Sequence, residues 1–132
     1  MRIDLELAIG VLNGTVGDYL KRTGNGLATP MELFLRDRPL PLGGEGRLAD
    51  LGEVTPRVMV LVHGLMSTEG VWELEDGETY GSLLSKDCGV TPLYLRYNSG
   101  LHISINGHAL AAQLAPDPYG PRAMPPGLWA PR

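Results

Sequence analysis

Cysteine is almost absent from this chain. Cys88 stands alone, which excludes an internal disulfide and any cysteine-rich metal site within the chain. No stretch approaches the roughly 18 consecutive apolar residues that a membrane-spanning helix requires. Charge of one sign is not in marked excess either. The formal net charge of −4 offers no electrostatic footprint for nucleic acid or anionic lipid, so neither is an expected partner. Met1-Arg2-Ile3-Asp4-Leu5-Glu6 has neither the cationic start nor the unbroken apolar core of a secretory signal, and the expected location is cytoplasmic. What is present is an ordinary mixture: 132 residues, 43% apolar and 20% charged, suited to one small globular domain.

The first segment predicts a helix. Leu5, Ala8, Ile9, Leu12, Val16, Tyr19 and Leu20 recur at offsets of three and four and form one apolar face. Lys21 and Arg22 suit the negative end of the helix dipole, and Gly24-Asn25-Gly26 is a stop signal. Gly10, Gly14 and Gly17 oppose the helix, at about 1 kcal/mol each relative to alanine. A bend or interruption near Asn13-Gly14 follows.

Met31 to Arg36 reads as a strand with Met31, Leu33 and Leu35 facing one way, and Pro39 to Gly46 as loop. The strongest local signal is Val58-Met59-Val60-Leu61-Val62, bounded by Pro56 and by His63-Gly64. Continuous apolarity without alternation indicates a strand covered on both faces, as in a parallel sheet. Thr91 to Arg96 predicts a second strand in which Pro92 delays pairing. Between them Thr79 to Ser85 has the composition of a short helix, preceded by Glu75, Asp76 and Glu78 at its positive end. Ile103, Gly107, Leu110, Ala111 and Leu114 mark a last helical face, with Ser104 as N-cap. This alternation predicts an α/β sheet joined by right-handed crossovers.

Beyond it the pattern breaks. Six of the eleven prolines fall between Pro116 and Pro131, a density that neither helix nor central strand tolerates. The expected organisation is an amino-terminal helical extension over residues 1–26, an α/β unit over 27–115 and an unfolded Pro-rich tail over 116–132.

Chemistry concentrates at His63-Gly64-Leu65. An apolar strand ending in a tight turn puts backbone N–H groups at the carboxyl end of a parallel strand, where α/β sheets place ligands. Gly64 allows angles closed to other residues, and N–H groups so exposed stabilise an oxyanion during acyl transfer. The same residues also fit a plain strand-to-loop turn with His63 a partly buried neutral side chain.

Val58-Met59-Val60-Leu61-Val62-His63-Gly64-Leu65 resembles the strand and oxyanion turn of α/β-hydrolases, particularly lipase- and esterase-like members. Trp72, Thr79 to Ser85, and Pro92-Leu93-Tyr94-Leu95-Arg96-Tyr97-Asn98-Ser99-Gly100 look like the next parts of that fold. His102-Ile103-Ser104-Ile105-Asn106-Gly107 is similar to a helix start in bacterial triacylglycerol-lipase-like proteins. Gly17-Asp18-Tyr19-Leu20 and Asn25-Gly26-Leu27-Ala28 fit an amino-terminal extension of that group. The resemblance spans most of Leu5 to Leu114 and implies that the Leu65 N–H donates to the oxyanion while His63 and Gly64 shape the turn. It also implies a second donor after the nucleophile, and an ester or lipid substrate.

The nucleophile itself is missing. None of Ser67, Ser82, Ser85, Ser99 and Ser104 lies in Gly-x-Ser-x-Gly, and Cys88 has Lys86 and Val90 at the flanking positions. The acid and base that follow the nucleophile in family order are missing too, and His63 precedes the turn instead of following it. Ser99, His102 and Ser104, with Asp87 approaching in space, form an alternative nucleophilic set, against which stand plain turn and cap roles for the serines. His63, His102 and His108 lack metal-ligand spacing. Gly44-Glu45-Gly46-Arg47-Leu48-Ala49 matches a loose dinucleotide fingerprint without a preceding strand. Glu69, Glu73, Glu75, Asp76 and Glu78 lack the ligand order of a calcium loop and read as a solvated acidic loop. Cys88 reads as a small buried apolar residue.

The expectation is an incomplete α/β-hydrolase fold with a short, mostly parallel sheet, interrupted near Leu114, without cofactor or metal and catalytically inert as it stands. Its alternative is a binding or interaction module acting through Val58 to Val62, an open apolar edge that invites self-association. A small α/β protein without acyl chemistry is the remaining reading.

Overall fold

A computed structural model describes residues 5–40 and 54–114. The expected loop beyond Leu40, the loose fingerprint at Gly44 to Ala49 and the tail from Pro116 lie outside them. The elements are α1 (Leu5–Arg22), β1 (Glu32–Leu35), β2 (Arg38–Pro39), β3 (Val58–Val62), a short 3-10 helix (Glu69–Trp72), α2 (Tyr80–Cys88), β4 (Thr91–Arg96) and α3 (Ile103–Leu114). The four strands form one sheet in the order β2-β1-β4-β3.

The sheet is mixed, not mostly parallel. β3 runs parallel to β4, whereas β1 pairs antiparallel with both β4 and β2. Pro39, expected in a loop, belongs to β2 opposite Phe34. Pro92 delays pairing on one side only. The Thr91 N–H donates to the Arg57 carbonyl at 2.9 Å, and β3 is in register from the first residue of β4. Alternation points the missing N–H of Pro92 at β1, whose ladder begins at Tyr94.

Register assigns the two faces. Val60 lies beside Leu93, Val62 beside Leu95, and Leu95 beside Leu33. Leu33, Leu93 and Leu95 are buried, and Leu110 and Leu114 of α3 pack on their cluster. Tyr94, with Leu61 and Phe34 beside it, faces the other way. There α2 packs on β4, approaching closely because Gly81 lies against Tyr94 and Pro92. Thr79 fixes the start of α2 through a capping box: its hydroxyl accepts the Ser82 N–H at 3.0 Å and its N–H donates to the Ser82 hydroxyl at 2.9 Å.

Helices thus cover both faces of the sheet, but β3 ends the strand order and has β4 as its sole neighbour among the described residues. The continuous apolar run had indicated coverage above and below. It carried no information about the next strand, and Val62 is 45% exposed.

Two helix faces differ from the periodicity. In α3, Ile103, Gly107 and Ala111 are exposed, and the inward side is Asn106, Ala109, Leu110, Gln113 and Leu114. Gln113 anchors it by donating to the Met31 carbonyl at 2.8 Å. In α1 the buried residues are Gly10, Asn13, Gly17 and Leu20, while Leu5, Ala8 and Tyr19 face solvent. This stripe meets loops, not the sheet: a Cβ on Gly14 would lie 2.7 Å from the backbone of Met66, and one on Gly10 would lie 3.0 Å from the backbone of Ser67. Small residues are needed where backbones approach this closely. The helix breaks its geometry at Val16 (φ −132°, ψ 23°), two residues beyond the expected bend. It ends as anticipated at Gly24 (φ 65°), where the Asn25 N–H reaches the Leu20 carbonyl at 2.9 Å.

Candidate functional site

The parallel pair delivers two chain segments to the same end of the sheet: His63 to Thr68 after β3, and Tyr97 to Leu101 after β4. α1 closes over both through Gly10, Gly14 and Gly17, the last lying against Asn98.

His63 is only 3% exposed. Its Nδ1 lies 2.9 Å from the Gly64 carbonyl, and its Nε2 accepts the Tyr97 N–H at 3.4 Å. A carbonyl only accepts, so Nδ1 carries the proton and the ring is the neutral tautomer. The Tyr97 ring stacks on it with centroids 4.3 Å apart, and the Tyr97 hydroxyl donates to the His63 carbonyl at 2.7 Å. Burial pushes the imidazole below its ordinary value. The bond to Gly64 and the charge of Glu69 push it up, and Arg96 pushes it down again. Burial also raises the Tyr97 phenol. His63 is a packing and hydrogen-bonding residue here, in keeping with the neutral reading of the sequence.

The turn beyond it departs from expectation in one respect. Gly64 is not the residue in the left-handed region; Met66 is, at φ 58°. A non-glycine residue holds that conformation only when its surroundings impose it. The Ser99 hydroxyl accepts the Met66 N–H at 3.0 Å, and α1 backs the same residue at Gly14. Leu65, at the outer corner, is 65% exposed, and among the described residues its N–H makes no hydrogen bond.

Arg96 ties four elements together. Its Nε donates to Glu69 at 2.7 Å, a second nitrogen pairs with the same carboxylate and lies 3.3 Å from Glu6, and the guanidinium sits 4.9 Å over the Phe34 ring. The bond to Glu69 raises its already high pKa, with burial opposing.

The alternative nucleophilic set is not assembled. Ser99 is engaged with Met66, while the exposed His102 bonds Ser104 at 2.8 Å. The His102 carbonyl accepts the Ile105 N–H at 2.9 Å and its ring accepts the Ser104 N–H at 3.3 Å, so His102, and not Ser104, caps α3. His108 is exposed on the same helix, far from burial of the kind that surrounds His63. Among the described residues no three His, Cys, Asp or Glu side chains are grouped to hold a metal ion. In the acidic loop Glu78 bonds Lys86 and Ser82 at 2.5 Å each, which holds its carboxyl below the usual range. Cys88 is exposed at the end of α2 and is not a core residue; its carbonyl accepts from Arg57 at 2.7 Å.

Two buried amides escaped the sequence reading. Asn98 donates to the Gly17 carbonyl at 2.9 Å, accepts the Gly100 N–H at 3.1 Å and takes the Asn106 amide on its own carbonyl at 2.9 Å. Asn13 donates to Ile9 and Leu27 and accepts the Thr29 N–H at 2.8 Å. An asparagine amid apolar residues of a helix was the available signal for the second. Beside Asn98 a cavity of about 260 Å³ lies between Lys21, Met31, Leu101 and Ile105.

No protein-family model, curated protein or solved structure matches this chain. Among the described residues no helix is long and apolar enough to cross a membrane.

Proposed function

We propose that this chain is the amino-terminal portion of a carboxylic-ester hydrolase of the lipase and esterase kind, with an incomplete α/β-hydrolase fold. It carries an oxyanion-type turn at His63, Gly64 and Leu65 and is inert without a nucleophile. The observation that carries the reading is the Leu65 N–H. Among the described residues it makes no hydrogen bond, and it belongs to an exposed residue at the corner following a parallel strand, while the neighbouring Met66 N–H is held by Ser99. A backbone donor left free at such a corner is what developing negative charge on an ester carbonyl requires. The attacking group is absent from the sequence, so charge never develops there. A chromogenic short-chain ester therefore shows no turnover above background. Turnover abolished by a serine-directed inhibitor refutes the proposal and points to Ser99 or Ser104. Translating the downstream DNA in its other frames tests the ancestry: absence of Gly-x-Ser-x-Gly from every frame rejects it.

A second reading, a non-catalytic interaction module, is favoured by the place of β3 at the end of the strand order, where the outer backbone edge of this apolar strand is unpaired among the described residues.

A further inference from the structure

We propose that His63 is a proton-operated latch on the turn that follows it: the neutral ring holds residues 64–66 in their present form, and protonation releases them. The claim concerns regulation of the turn and rests on the ester reading only for its catalytic meaning.

The latch follows from which atoms donate. In the neutral ring Nδ1–H gives to the Gly64 carbonyl and the Nε2 lone pair takes the Tyr97 N–H. A second proton would sit on Nε2, facing the Tyr97 N–H, so two donors would point at one another with no acceptor between them. The ring, 3% exposed, lies under Tyr97 and has no room to turn toward water without parting from that ring or from Gly64. Either movement loosens Gly64, and with it Leu65 and the left-handed Met66.

The surrounding charges are Glu69 of the 3-10 helix, which favours the imidazolium, and Arg96 at the end of β4, which opposes it. Glu6 of α1 pairs with Arg96, and the Tyr97 phenol is neutral at these pH values. Arg96 engages one Glu69 oxygen, Oε1, while Oε2 is buried without a hydrogen-bond partner among the described residues, and burial of the ring outweighs the pull of the carboxylate. The sign is therefore fixed. An unfolded chain binds the proton near 6.5, the folded chain only at lower pH. The stabilisation is complete above 6.5 and is lost as the pH falls through the folded midpoint.

The test is a proton–nitrogen NMR titration of the full-length chain from pH 8 to 5, following the histidine rings and the Leu65, Met66 and Tyr97 amides. The expected result is a His63 midpoint below 6.5 at which these amides shift or broaden together. A Tyr97→Phe variant keeps the stack and loses the hydroxyl clamp on the His63 carbonyl, so its turn loosens at higher pH than wild type. His63 titrating at 6.5 or above overturns the proposal, as do amides of residues 64–66 that stay still through its midpoint. No substrate enters the measurement, so a failed ester reading leaves this result standing and the converse also holds.

Discussion

Gly14 and Gly107 both occupy helix interiors, yet replacing each by alanine should move stability in opposite directions. In α3, nothing lies within 4 Å of a Cβ built on Gly107. Gly107→Ala therefore gains the intrinsic helix preference, about 1 kcal/mol, with no opposing contact. In α1, the Cβ of Gly14→Ala would meet the Met66 Cα and N at 2.7 Å and the Met66 Cγ at 2.5 Å. Two of these are backbone atoms of a residue held by Ser99, so the obstruction has no rotamer to yield. Overpacking of that kind costs about 3 kcal/mol, leaving a net loss near 2 kcal/mol after the helix preference is set against it. Urea unfolding followed by far-ultraviolet circular dichroism reads both, and the two variants should differ by about 3 kcal/mol at an unchanged m-value. Gly14→Ala unfolding at the same urea concentration as wild type, or a higher one, refutes the claim that α1 seats on the turn through its glycines.

Asn98→Ala should lose about 2 kcal/mol in the same assay, because the buried Gly17 carbonyl and the half-buried Gly100 N–H both lose the Asn98 amide. For the edge of β3, size-exclusion chromatography across a wide concentration range is decisive. Association that Val62→Lys, at the exposed end of the strand, abolishes supports the interaction module, and a clean monomer at high concentration counts against it.

Local pattern was enough to place β3 and β4 and the start of α2, because an unbroken apolar run, a proline-marked strand and acids ahead of a helix each act within a few residues. α2 runs on to Cys88, beyond the expected Ser85. For His63 the sequence left a neutral buried ring and an oxyanion turn both open, and burial lowers the imidazole as the first of these requires. What escaped was long-range. The inner face of α1 is set by loops around Ser67 and Asn98, so its glycines, which argued against a helix, are the reason it fits. Asn98 meets Gly17 across 81 residues, a separation no periodicity registers. Left-handed geometry went to Met66 because Ser99 and α1 impose it there, whereas composition pointed to Gly64. Antiparallel pairing of β1 reflects a hairpin with β2 that two residues of strand could not announce.

Val58-Met59-Val60-Leu61-Val62 reads almost the same from either end, with valine at every odd place. A visiting strand would therefore find much the same succession of shapes whether it arrived head-first or tail-first. Nothing in the segment rewards one heading over the other, and no proline or charge turns a visitor away. Discrimination at this flank falls to its ends, to Pro56 and Arg57 before it and the latch histidine after it.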